Sequence, residues 1–188
     1  GTGDVEQYYS DRFIQEEIQY LDILWVIDDS GSMNRVQVNL SANMQTFMSV
    51  FATTSADYRM TVITTSDPMV YQVIDSNHPD ATVAMQNLVA VGIGGSGVEM
   101  GLEMAYQSLT SSSNAGPGGS FFRDYADLVV IFVSDEPDHS QNAPVYYANF
   151  FKTLKPPGMF IPYAVIGDVP GGCQSQWGPG NYNVQPGL

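Results

Sequence analysis

Short, almost continuously apolar segments alternate along this chain with longer segments of helical periodicity. The clearest apolar segments are residues 22–27 and 127–133. Strands that are apolar at nearly every position are buried on both faces, which is typical of a parallel sheet covered by helices. We therefore predict an α/β fold, doubly wound, with a mostly parallel central sheet and helices on both faces.

The remaining elements follow from the same patterns. A helix is predicted from Asn34, because apolar residues then recur every three or four positions: Val36, Leu40, Met44, Phe47, Met48 and Phe51. Further strands are predicted at 58–65, 70–74 and 160–166, and further helices at 82–88, 98–109 and 143–154. The glycine-rich segment 92–97, the polar segment 110–120 and the Gly- and Pro-rich remainder after Ile166 are predicted to be loops.

Length and composition limit the class of protein. The 188 residues suit one domain with a sizeable core, here assigned to 20–188 with a lead-in at 1–19. Six Lys and Arg against twenty Asp and Glu give a net charge of −14, so we expect no nucleic acid as partner. No apolar run approaches the roughly 20 residues that cross a bilayer, so we expect no membrane insertion by this segment.

The residues with the clearest chemistry directly follow the first predicted strand. In the run Asp28-Asp29-Ser30-Gly31-Ser32, the first, third and fifth residues alternate, so one carboxylate and two hydroxyls can point into one small space. Hard oxygen ligands of this kind suit Mg²⁺, Mn²⁺ or Ca²⁺. A helix cap formed by Ser30 or Ser32, with Asp28 in solvent, is the simpler structural alternative.

A second acidic segment strengthens the metal interpretation. Ser134-Asp135-Glu136 closes the predicted strand 127–133, and the carboxyl ends of parallel strands meet at one edge of a sheet, where ligand sites lie. Asp28 and Asp135 would then repel each other unless a cation compensated them. The sequence therefore predicts a divalent cation between these two carboxylates.

The run Asp22-Ile-Leu-Trp-Val-Ile-Asp-Asp-Ser-Gly-Ser-Met33 resembles the first motif of the von Willebrand factor type A domain, a family that includes the integrin inserted domain. The resemblance covers roughly residues 18–166 and implies the Rossmann-like fold of that family. It also implies a metal-ion-dependent adhesion site whose ligands are Asp28, Ser30, Ser32 and Asp135.

The family takes a further ligand, a Thr, from a later loop. Its place five residues before a helix-entering Gly101 corresponds to Ser96, which keeps the hydroxyl. Glu99 is the alternative, because the runs 97–103 and 132–140 resemble a bacterial branch of the family in which an acid occupies that loop. The sequence leaves the choice between Ser96 and Glu99 open.

The resemblance implies a protein-binding, adhesive module. A divalent cation, Mg²⁺ first and otherwise Ca²⁺ or Mn²⁺, would be completed by an Asp or Glu of a partner protein. We expect no enzyme, because the site has acceptors without a nucleophile, general base or phosphate clamp. Two alternatives stay open: a structural component of a virion or surface assembly with the metal as a staple, and a subunit of a chelatase or ATPase assembly.

The family resemblance and composition also suggest a setting. Family members end with a further strand and helix, which this chain lacks, so we interpret it as part of a larger chain or assembly. Cys173 is either a free thiol or half of a disulfide with a cysteine outside this segment, and we prefer the disulfide. The acidic, lysine-poor composition favours an extracellular, cell-surface or virion-associated location, while a cytoplasmic one stays open.

Other motifs are weaker. Gly92-Ile-Gly-Gly-Ser-Gly97 matches a dinucleotide-binding fingerprint literally, but it does not follow the first strand, and no strand-end acid follows about 20 residues later. Val26-Ile-Asp-Asp-Ser30 is similar to a phosphatase motif of the haloacid-dehalogenase type, with a serine in place of its second Asp. No Gly-x-Ser-x-Gly elbow of a serine hydrolase is present.

Overall fold

A five-stranded sheet in the order β3-β2-β1-β4-β5 forms the centre of the protein. The structure is a computed structural model that describes residues 18–167, 172–175 and 182–184. The strands are β1 (Tyr20–Ile27), β2 (Asp57–Thr64), β3 (Val73–Asp75), β4 (Asp127–Val133) and β5 (Phe160–Val165). Within this five-stranded sheet, β3 alone runs antiparallel to its neighbour, so the prediction of a mostly parallel sheet is confirmed.

Helices cover both faces of this sheet. They are α1 (Asn34–Ala52), α2 (Ala81–Leu88), α3 (Gly101–Thr110) and α4 (Pro144–Thr153). Alternate β1 residues point to opposite faces: Trp25 joins a core with residues of α1 and α2, whereas Leu24 joins a core with residues of α3 and α4. The fold is therefore α/β and Rossmann-like. Within the described residues, no helix has the length and apolar character needed to cross a membrane.

The strand order places one crevice at the carboxyl edge of the sheet. After β1 the chain continues on one side with β2, and it later returns to the other side of β1 with β4. Open α/β sheets bind ligands outside the carboxyl ends of strands at such a switch in strand order. Asp28 and Asp135, which follow β1 and β4, both lie at this point.

Two predicted boundaries were wrong. Helix α3 begins at Gly101 and not at Val98, which lies in the preceding loop and is exposed. The N-terminal N–H groups of α3, which have no partner within the helix, donate to side chains of the loop that follows β4. Leu102 N–H donates to Asp138 and Glu103 N–H donates to Ser140. Strand β3 is confined to Val73–Asp75, shorter and later than the predicted 70–74.

The prediction of loop after Ile166 was also wrong in part. Strands β6 (Cys173–Ser175) and β7 (Tyr182–Val184) form a separate antiparallel pair. Antiparallel strands need only a short connection, so three-residue strands can pair within a Gly- and Pro-rich segment. The lead-in at 1–19 lies almost wholly outside the described residues, and the pairing of Cys173 and the absence of a last strand and helix stay predictions.

Arg123 forms a buried ionic network at the opposite edge of the sheet. Its Nε–H donates to Asp22 at 2.8 Å and its Nη1–H to Asp57 at 2.7 Å, and its backbone N–H also donates to Asp22 at 2.6 Å. Asp22 is completely buried. The network satisfies a carboxylate that the core would otherwise leave without compensation.

Replacing Arg123 with methionine is expected to lower the free energy of unfolding by about 3–5 kcal/mol, because the Asp22 carboxylate stays buried without its partner. Urea unfolding measures this loss. The double variant Arg123→Met with Asp22→Asn should recover part of it. Equal losses in the single and the double variant would show that the charge of Asp22 is not the cause.

Candidate functional site

Asp28 is the fixed centre of the acidic site. Its side chain is completely buried at the end of β1. One carboxylate oxygen accepts the Ser30 N–H at 2.8 Å, and the other accepts the Ser134 hydroxyl at 2.7 Å. The backbone N–H of Asp28 donates to the Val133 carbonyl at 2.9 Å, which joins the ends of β1 and β4. The carboxylate is therefore held in one orientation.

Ser30, Ser32 and Asp135 form a continuous chain of side-chain contacts. The hydroxyls of Ser30 and Ser32 lie 2.9 Å apart, and the Ser32 hydroxyl donates to Asp135 Oδ1 at 3.0 Å. Ser30 and Asp135 are buried, while Ser32 is exposed. The structure thus brings Asp28, Ser30, Ser32 and Asp135 to one place, with Ser32 on the solvent side.

The glycine-rich loop contributes Glu99 to this place and not Ser96. Glu99 is 1% exposed, and one of its carboxylate oxygens accepts the Thr65 hydroxyl at 2.6 Å. Its other oxygen, Oε1, is buried and receives no hydrogen bond from a donor group, and Glu99 faces the Asp28 carboxylate, with which it can pair only when one of the two is protonated. The Ser96 side chain is exposed and instead accepts the Val98 N–H within the loop.

Two carboxyl groups at this site, those of Asp135 and Glu99, have raised pKa values. Burial, and then the Asp28 carboxylate, raises the pKa of Asp135 above its ordinary value, although the Ser32 hydrogen bond opposes the shift. Burial, with added repulsion from Asp28 and Glu136, raises the pKa of Glu99 to about 7. The site therefore concentrates negative charge that the fold itself compensates only in part.

The raised pKa of Glu99 gives the metal-free protein a specific pH dependence. The folded pKa of Glu99 is about 7, above the ordinary value of 4.5, so the folded state binds its proton more tightly than the unfolded state does. The stabilisation is fully present below about pH 4.5 and is lost as the pH rises to about 7, with an upper bound of about 3 kcal/mol. Urea unfolding in chelator at pH 5 and pH 8 should show a larger drop for wild type than for Glu99→Gln, and equal drops would contradict the assignment.

Asp29 contacts residues of two neighbouring loops and does not belong to the group formed by Asp28, Ser30, Ser32 and Asp135. Its carboxylate accepts the Ser66 hydroxyl at 2.8 Å and lies 3.2 Å from the Thr65 hydroxyl, whose proton is shared with the closer Glu99 carboxylate, and its carbonyl accepts the Gly95 N–H at 2.9 Å. Its side chain occupies the space where a Cβ on Gly95 would lie, only 2.2 Å from Asp29 Cγ. This contact requires glycine at position 95.

Replacing Gly95 with alanine is expected to force the Asp29 side chain away from the Ser66 hydroxyl that donates to it and to destabilise the protein by about 1–3 kcal/mol. Gly94→Ala is the matched control, because nothing lies within 4 Å of its Cβ position. That variant should change the free energy of unfolding by less than about 0.5 kcal/mol. Chemical denaturation of both variants tests the contact, and equal effects would refute it.

Sequence reasoning missed two hydroxyl residues of the site. Thr65 directly follows β2 and donates to Glu99, and Ser134 directly follows β4 and donates to Asp28. Both come immediately after apolar strands whose carboxyl ends share the edge of Asp28. Their position after these strands is the signal that could have identified them.

Hydroxyl oxygens lie beside the carboxylates of this site. Within the described residues, no group of three or more His, Cys, Asp or Glu side chains is placed to hold a metal ion by itself. A cation beside Asp28 and Asp135 would also have the Ser30 and Ser32 oxygens within reach, because these lie in the same chain of contacts. Such an all-oxygen set suits Mg²⁺, Mn²⁺ or Ca²⁺.

Comparisons with known proteins give little further information. No protein-family model matches the chain, and no curated protein matches it. Among solved structures, it is similar to the pilus adhesin SpaC from Lactobacillus rhamnosus GG in its open conformation, at 13% identity and a TM-score of 0.41. That match covers 64% of this chain and 15% of the adhesin.

Proposed function

We propose that this chain is a von Willebrand factor A type domain that binds a divalent cation and, through it, a carboxylate of a partner protein. The observation that carries the proposal is the meeting of Asp28, Ser30, Ser32 and Asp135 in one chain of contacts at the switch point of the sheet. Two buried carboxylates beside two hydroxyls are a donor set for a hard cation, with Mg²⁺ the first expectation.

On the loop side, Glu99 would have to move closer to Asp28 and Asp135 to join this set, because the described residues hold no three carboxylates already placed together for a metal. The unpartnered Oε1 of Glu99 is buried, and an unsatisfied buried oxygen is costly unless a ligand pairs with it. A bound cation would satisfy this oxygen and offset both the burial and the Asp28 repulsion that raise the pKa of Glu99. We therefore favour Glu99 over Ser96 as the loop ligand.

The side of the site that faces solvent is open, so a partner protein could reach a bound cation there. Ser32 is exposed, and the Cβ positions of Gly31, Gly94 and Gly97 are open, with nothing within 4 Å. When bound, the cation would attract an Asp or Glu of the partner. Without it, a chain of net charge −14 repels acidic groups, so binding should depend on metal.

Among the residues that the structure describes, no set for bond-breaking accompanies this arrangement, so we propose a binding module and not an enzyme. An extracellular, cell-surface or virion-associated setting agrees with this role. The competing proposal is a metal staple in a surface assembly. In that role the domain's own oxygens would close around the cation, whereas in an adhesive role the cation would be open to a partner.

Titration of the whole chain with Mn²⁺, followed by calorimetry and by water-proton relaxation, tests the proposal. We expect one saturable site per chain, displaced by Mg²⁺ or Ca²⁺. The double variant Ser30→Ala with Ser32→Ala should weaken binding, while Ser96→Ala should not. Absence of saturable binding at millimolar Mn²⁺, or full binding by the Ser30/Ser32 variant, would refute the proposal.

A further inference from the structure

A buried amide side chain connects the Asp28 strand end to the glycine-rich loop. Gln37 lies in the first turn of α1 and is 5% exposed. Its Nε2 group donates to the Asp28 carbonyl at 2.9 Å and to the Gly92 carbonyl at 2.7 Å, and its Oε1 accepts the Gly92 N–H at 3.0 Å. One side chain therefore satisfies three backbone groups on two separate segments.

The loop that Gln37 holds leads directly to Glu99. Gly92, at its start, has a φ of +90°, a conformation that side chains other than glycine rarely adopt. Further along, Gly95 N–H donates to the Asp29 carbonyl and Ser96 N–H donates to the Ser66 hydroxyl, each at 2.9 Å. Gln37 is the contact that fixes the loop's first residue.

We infer that Gln37 is a positioning residue, which sets the 92–97 loop so that Glu99 reaches the Asp28 carboxylate. The part of this inference that concerns metal binding rests on the proposed function. Loss of the Gln37 amide would leave the Gly92 N–H and carbonyl and the Asp28 carbonyl without this partner. The loop would then sample several positions, and a cation would have to order it on binding.

Gln37→Met tests this by keeping the side-chain size and removing the amide. The matched control is Met48→Ala, which opens a cavity on the same helix about 16 Å away, eleven residues along. In metal-free protein we expect amide hydrogen exchange at Gly95 and Ser96 to be at least about tenfold faster in Gln37→Met than in Met48→Ala at equal overall stability. Unchanged exchange at both amides would overturn the inference.

The Mn²⁺ dissociation constant is the second measurement. It should rise about tenfold in Gln37→Met, the usual effect of losing a group that orients ligands, and stay near wild type in Met48→Ala. Gln37→Glu provides a variant with an opposite electrostatic expectation. If charge alone mattered, the added negative charge would tighten Mn²⁺ binding, whereas loss of positioning should weaken it. Tighter Mn²⁺ binding by Gln37→Glu would therefore overturn the inference. This test remains available if Gln37→Met fails to fold.

The two proposals fail in different ways. If wild type binds no Mn²⁺, the proposed function fails, and amide exchange alone decides the role of Gln37. If wild type binds Mn²⁺ but Gln37→Met binds it equally, with the loop still protected, the inference about Gln37 fails and the metal site stands.

Discussion

Replacing Asp28 with asparagine is expected to weaken Mn²⁺ binding by at least about 100-fold, more than the loss of any group that only orients ligands. Asparagine keeps the shape of the side chain and removes its charge. Asp28 is completely buried, with its two oxygens oriented by Ser30 and Ser134, so no neighbouring carboxylate can take its place. Calorimetric titration measures the effect.

Asp29→Asn is the matched control, because it removes the same charge one residue along the chain. The Asp29 carboxylate faces Thr65 and Ser66, so this variant should retain most of the Mn²⁺ affinity and lose some stability of the loops. Metal-free Asp28→Asn relieves repulsion with Glu99 and Asp135 but can accept only one of the hydrogen bonds from Ser30 and Ser134, so its free energy of unfolding should lie close to that of wild type. Loss of binding in Asp29→Asn but not in Asp28→Asn would invert the assignment.

The grouping of Asp28, Ser30, Ser32 and Asp135 was predictable from sequence for two reasons. Alternation within five residues is a local property, and it put the first three side chains on one side of the segment. Asp135 lies more than 100 residues away, but the rule that parallel strands end at one edge brought it to the same place. Residue groupings that follow from strand topology can thus be predicted from the sequence alone.

The choice between Ser96 and Glu99 could not be made in the same way. The two residues lie three positions apart in an irregular loop, where no period defines which side chain points inward. Glu99 is drawn inward by Thr65, a residue of another loop. The start of α3 was misplaced for a related reason, because its caps, Asp138 and Ser140, come from a loop that follows β4.

The strands after Ile166 escaped prediction because of their length. Three residues are too few to show the alternation that identifies a strand, and the surrounding glycines and prolines are typical of turns. Strand β5, by contrast, could be predicted from its apolar residues despite Pro162. Its central proline suits an edge strand, in which the missing N–H need not face a neighbour.

The second large effect concerns Asp135 and separates adhesion from stapling. In an adhesive site, Asp135→Ala should abolish Mg²⁺-dependent capture of carboxylate-bearing peptides. Such peptides are obtained by selection from a displayed random peptide library in Mg²⁺, with release by chelator. We expect the selected peptides to share an Asp or Glu, and its replacement by Asn or Gln to remove binding.

Asp135→Ala should change the stability of the metal-free fold only a little. The raised pKa of Asp135 shows that its charged form is disfavoured in the metal-free fold, so its removal costs little beyond the Ser32 hydrogen bond. Glu136→Ala is the charge-matched control at the same turn, and it should keep peptide capture.

Chelator then distinguishes the two roles of the cation. If the cation is open to a partner, removing it eliminates peptide capture and changes the melting temperature little, because few of the domain's own oxygens close around it. If it is a staple, its removal lowers the melting temperature by several degrees, since the binding free energy is linked to the folded state. The open Cβ positions of Gly31, Gly94 and Gly97 and the exposed Ser32 favour the first result. A sharp drop in melting temperature with unchanged capture would favour the staple instead.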